Sequence, residues 1–99
     1  MLLTQVKGSV VSIAKVDSLV GKKLMLVEIV TVRGDCLRGT GRHMVCVDAV
    51  GVGKGELVLS VMGSSARMAP QLGDTPTDAV IVAIVDSLEA SGVNLEFLE

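Results

Sequence analysis

The stretch "VDAVGVGKGELVLSVMGSSAR", Val47 to Arg67, decides how the rest of the chain is read. It begins in the second half of an apolar segment, "HMVCVDAV", breaks at the alternating glycines of "GVGKGE", and resumes as "ELVLSVM". In that last segment Leu57, Leu59 and Val61 alternate with Val58, Ser60 and Met62. A period of two sends the two sets to opposite faces of a strand, whereas a helix would gather apolar residues at every third or fourth position. Glycines and a lysine between two such segments make a tight connection between the third and fourth strands. Past Met62, "SSARMAPQ" has room for one or two helical turns at most, because Pro70 disfavours helical geometry at Ala69. Ser64 or Ser65 would cap such a turn.

Upstream, "KLMLVEIVTV" (Lys23 to Val32) alternates Leu24, Leu26, Glu28 and Val30 with Met25, Val27 and Ile29. Only Glu28 interrupts a strand that is apolar on both sides, which predicts burial of both faces. "LTQVKGSVVSIAKV" reads as a first strand bent at its central glycine, and "DSLVGKK" as the first turn. The three glycines and four charges of "RGDCLRGTGR", Arg33 to Arg42, predict an exposed excursion between strands. Downstream, the β-branched run Val80, Ile81, Val82, Ile84 and Val85 favours a central strand, and the tail from Val93 to Glu99 a short edge strand or docking arm. The expectation is a single domain over residues 1–99, all-β: a small five-stranded barrel with a short helical turn and a C-terminal tail.

Composition bounds the function. Apolar residues make up 49% of the chain, yet Phe97 is the sole aromatic, so a small core must hide a large aliphatic surface. The surplus predicts self-association. The longest apolar run, Ala79 to Val85, is far short of the roughly 20 residues that span a bilayer, and the opening "MLLTQVKG" lacks the pattern of a secretory signal, so no membrane partner and a cytosolic address are expected. The formal charge is −2, and Lys22, Lys23, Arg33, Arg38 and Arg42 gather around turns of the first half. Without a basic stripe or stacking aromatics, no nucleic-acid partner is expected.

Chemistry is equally thin. His43 is the only histidine, so a Ser64 or Ser65 nucleophile with Asp48 as the orienting acid would depend on it; a residue at the entrance to a strand is the simpler reading. Cys36, His43, Cys46 and Asp48 are near one another in sequence, but His43 and Cys46 would point to opposite faces, and neither C-x-x-C nor H-E-x-x-H is present. "GVGKGE" is too short before its Gly-Lys for a phosphate loop and places Glu56 where a magnesium-binding hydroxyl belongs. No catalytic residue, metal or cofactor is expected, and Asp48, Asp78 and Asp86 read as turn residues or hydrogen-bond acceptors.

Three segments, "VKGSVVSIAKVDSLVGKKLMLV", "VDAVGVGKGELVLSVMGSSAR" and "PTDAVIVAIVD", cover most of the chain in order, and together they resemble the pentameric shell proteins of bacterial microcompartments, the family of carboxysome and ethanolamine-compartment vertex proteins. The resemblance implies a barrel related in shape to an oligonucleotide-binding (OB) fold, a homopentamer that caps a shell vertex among hexameric tiles, and no enzymatic activity. It implies that Gly63, Ser64, Ser65, Ala66 and Arg67 lie near a neighbouring subunit, that Asp48 with Gly51, Gly53 and Gly55 shapes the turn after the third strand, and that Asp78 and Asp86 bracket the final strand. A small-molecule or transport role at the five-fold axis is the alternative. The segment Cys36 to His43 departs most from the resemblance, so the type of compartment stays open.

Overall fold

The β-branched and alternating segments form eight strands in a computed structural model that describes residues 1–11, 22–63, 79–90 and 93–97. Five are long: β1 (Leu2–Val10), β2 (Leu24–Arg33), β3 (Cys36–Asp48), β4 (Leu57–Met62) and β5 (Ala79–Ile84). Three are two-residue pieces: β6 (Glu89–Ala90), β7 (Val93–Asn94) and β8 (Glu96–Phe97). The main sheet runs β2-β1-β4-β5-β3-β8, and β2 also pairs with β3, so the five long strands close on themselves. This is a five-stranded, OB-like barrel. All its pairings are antiparallel except β3 with β5, a parallel seam of two residue pairs, Val47 with Val80 and Asp48 with Ile81.

Closing so few strands demands strong bending, and bulges supply it. The register shifts between Val6 and Gly8 in β1, between Glu28 and Val30 in β2, and between Leu59 and Ser60 in β4. The bend expected at Gly8 is there.

Alternation sorts the side chains into layers. Val6, Met25, Val27, Cys46, Val58, Ala79 and Ile81, contributed by all five staves, pack with Val52 in the interior. Burying a valine such as Val6 or Val58 completely stabilises the fold by about 1.5–3 kcal/mol relative to exposure. Two hydroxyls share this interior: Thr4 and Ser60 are fully buried, 3.0 Å apart, and the Cys46 thiol donates to Ser60 Oγ. Each polar atom has a partner there, which is the condition for burying it cheaply. Outside the barrel, Val47, Val61 and Val80 pack with Leu24, Ala49 and Val82 at one end. At the other end Val30, Leu37 and Leu95 pack with Leu3, Leu57 and Leu88.

Two expectations need correction. Strands account for every regular element of the described residues, so the short helical turn does not belong to the fold as described. β4 ends at Met62, just before Gly63, whose φ of 66° breaks the extended geometry, and Ser64 to Pro70, the place of the expected turn, lie outside the described residues. Arg33 to Arg42 is no excursion either. β2 and β3 stay paired down to Arg33 opposite Cys36, leaving only Gly34 and Asp35 as the turn. Exposure of Arg38 to His43 does not prevent pairing, because a ladder needs backbone groups alone, and Leu37, buried against Val30 and Leu95, anchors the far end.

Candidate functional site

Asp48 ends β3 and organises the turn that follows. Its Oδ1 accepts from the backbone N–H of Val50 (2.9 Å) and Gly51 (2.8 Å), and its Oδ2 from Val52 (2.9 Å). A single carboxylate thus satisfies three donors that a sharp change of direction would orphan. Gly51, with φ of 83°, adopts the left-handed geometry that this wrapping requires. The Asp48 side chain is only 1% exposed, with Lys23 Nζ 4.0 Å away and donating to Val52 O. Burial raises the pKa of Asp48, but the three N–H donors, with Lys23, outweigh it and hold the carboxyl below its ordinary 3.8.

The rest of the turn is tied to β1. Gly55 N donates to Val6 O, Val6 N donates to Glu56 O, and the Gln5 amide reaches Gly55 O. Gly53 N donates to the Glu56 carboxylate. Asp48, Gly51, Gly53 and Gly55 therefore form one unit stapled between the ends of β3 and β4. Gly63 lies at the exposed end of β4, and Asp86 is exposed just past β5. Ser64, Ser65, Ala66, Arg67 and Asp78 lie outside the described residues.

A second carboxylate site escaped the sequence reading. Glu28 Oε2 accepts from Gly41 N at 2.8 Å, and Oε1 lies 3.2 Å from Lys7 Nζ. The hydrogen bond from Gly41 and then the Lys7 ammonium hold its carboxyl below the ordinary 4.5. The bulge creates this site: Glu28 faces His43 while Val30 faces Gly39, so Thr40, Gly41 and Arg42 loop out beside Ile29. Thr40 Oγ1 donates to Ile29 O and accepts from Arg42 N, closing the loop. A Cβ at Gly39 would collide with the Glu28 carboxylate. The one signal in the sequence was an acid alone in an apolar strand, followed by "RGTGR".

Neither cluster is built for catalysis. His43 is exposed at the bulge, Cys36 donates to Arg33 O, and Cys46 is buried in the barrel with Ser60. Among the described residues no three His, Cys, Asp or Glu side chains gather as metal ligands. The geometry is that of braced turns on a closed barrel.

Comparison with known proteins gives that geometry its context. The family described as "Ethanolamine utilisation protein EutN/carboxysome" matches residues 1–86. The chain belongs to the EutN/CcmL family. It is thus a structural shell protein of a bacterial microcompartment, of the vertex class, and not an enzyme. It is 40% identical to the carboxysome shell vertex protein CcmL of Synechocystis sp., over 96% of this chain and 92% of the relative. It is 46% identical to the microcompartment shell vertex protein PduN of Salmonella typhimurium, over 89% of this chain and 98% of that one. Among solved structures, Gloeobacter violaceus CcmL superposes with a TM-score of 0.86 at 33% identity, covering 95% of this chain and 94% of its own. GrpN of Rhodospirillum rubrum, a pentameric microcompartment shell protein, gives 0.79 at 42% identity, covering 91% and 99%. EutN/CcmL relatives from carboxysomes and from other compartments match alike, so the kind of compartment stays open for this chain.

Proposed function

We propose that five copies of this chain form a ring that occupies a vertex of a polyhedral shell, where it meets hexameric tiles and closes the surface. The observation that carries the reading is the full-length likeness to shell vertex proteins, including a pentameric one at 42% identity. Flat arrays of six-fold tiles cannot close, and five-fold positions supply the missing curvature. Cyclic closure repeats one heterologous contact, so each subunit presents two different faces. Aliphatic side chains exposed on the barrel, Val45 at 47%, Val50 at 42% and Ile84 at 39%, support self-association. Residues 1–99 act as one domain in this reading. Gly63 to Arg67 border the neighbouring subunit, Asp78 and Asp86 bracket the final strand, and the Asp48 turn with Gly51, Gly53 and Gly55 holds the adjoining backbone in shape.

Native mass spectrometry tests the ring. Five copies are expected at micromolar concentration, and a persistent monomer in the presence of hexameric tiles overturns the reading. Arg67→Ala is expected to shift dissociation to higher concentration while circular dichroism of the subunit stays unchanged, because an interfacial charge lost from one partner leaves the other unpaired, at a cost of roughly 2–5 kcal/mol.

A further inference from the structure

The β2–β3 hairpin carries two arginines, Arg33 and Arg38, that form no ion pair among the described residues. Thr31 and Arg38 are cross-strand partners, and Arg33 follows Thr31 by two residues, so the three side chains leave the same face of the ladder. With Gly39 and Thr40 they line an open depression of about 350 Å³. The opposite face is spent on packing: Leu37 is buried against Val30 and Leu95. The arginine face is therefore held in a fixed direction and is exposed.

Among the described side chains, the acids are otherwise engaged or form no ion pair with it. Glu28 is committed to Gly41 N–H and to Lys7. Asp48 is committed to its turn and to Lys23. Those are the ion pairs among the described residues, and neither includes Arg33, Arg38 or the turn residue Asp35. Two guanidinium forks on one face, flanked by Thr31 and Thr40, match a planar two-oxygen acceptor.

We infer that the Arg33–Arg38 face of the hairpin is a docking site for a carboxylate side chain presented by a neighbouring hexameric shell protein. A protein carboxylate is the occupant that fits. The depression is open, so a free anion would bind weakly, whereas five hairpins on one ring would engage carboxylates of the surrounding tiles with the gain of multivalency. A phosphate cradle needs several backbone N–H groups converging in an enclosed loop, and this depression is open. The inference rests on the vertex-ring reading.

The test uses the full chain with a purified hexameric shell protein of the same compartment. Arg33→Glu with Arg38→Glu is compared with the unchanged chain by native mass, by capture on immobilised hexamer at increasing salt, and by titration with inorganic phosphate followed by amide chemical shifts. Expected are a five-copy mass for both proteins, capture by the unchanged chain that weakens with salt, and a loss of about tenfold or more in the doubly reversed variant. Arg33→Lys with Arg38→Lys should retain part of the capture, since charge survives and the fork does not. Rings of the reversed variant that dock within twofold of normal overturn the inference and leave the vertex reading intact. Loss of the five-copy mass in that variant alone overturns it too, by assigning the hairpin to the ring interface. Saturation by millimolar phosphate without any effect on capture would make the depression a small-anion site instead. Absence of rings in the unchanged chain overturns the vertex reading itself.

Discussion

Asp48 and Glu28 do the same job in two different settings. Each carboxylate accepts backbone N–H groups around a glycine of positive φ, Gly51 in one case and Gly41 in the other, and each has a lysine beside it. Asp48 is sealed at 1% exposure and satisfies three donors, whereas Glu28 is 14% exposed and satisfies one. The first defines where the chain turns. The second fastens a bulge whose strands are already paired on both sides. How many donors depend on an acid, and whether water can replace it, decide what it contributes.

The largest expected effect is therefore at Asp48. Replacing it with alanine strands the N–H groups of Val50, Gly51 and Val52, and a loss of about 3 kcal/mol in urea unfolding is expected. A loss below about 1 kcal/mol would show that water takes over all three positions and that the two carboxylates are equivalent after all.

Acid should expose the same contrast. Asp48 has a folded pKa below its unfolded value of 3.8, so its stabilisation is fully present above that value and fades as pH falls through the folded pKa. The stability gap between the protein and Asp48→Asn should narrow below about pH 3.8 and be constant from pH 5 to 7. A gap that narrows around neutrality would assign the linkage to another group.

Two glycines sharpen the comparison further. Gly51→Ala meets no neighbour within 4 Å, so its cost is the left-handed backbone alone, about 1–2 kcal/mol. Gly39→Ala acts by displacing the Glu28 carboxylate, and its smaller effect on melting should vanish in a Glu28→Ala background. Persistence of the full effect in that background would trace the strain to backbone rather than to Glu28. Among the smallest expected changes is Thr4→Val, about 1 kcal/mol, since Ser60 keeps its contact with Cys46.

The same contrast explains what could be read in advance. Asp48, Gly51, Gly53 and Gly55 are close together in sequence, so the turn is a local pattern and residue type alone marks it. Strand alternation is local as well, which is why β1, β2, β4 and β5 were legible. The Glu28 site draws Lys7 from β1, Glu28 from β2 and Gly39 with Gly41 from β3, and only the register of two bulges brings them together. Composition does not encode register. Glycines and charges also disguised the first half of β3, because its backbone partners in β2 and Leu37's burial under Leu95 are contacts at a distance.

The parallel seam fixes an order of events. Val47 meets Val80 across the whole length of the intervening chain, whereas β1, β2 and β3 meet as successive antiparallel neighbours. During synthesis β5 is the last of the five staves to emerge. Until it does, β3 and β4 each offer an unpaired edge, and Val47 and Val61 wait for Val80 to complete their cluster. An unfinished chain is thus a sticky open sheet, and the finished one a cylinder without those edges. A ring built from closed barrels must wait for β5, and the cluster of Val30 and Leu37 is complete only when Leu88 and Leu95 have followed it out.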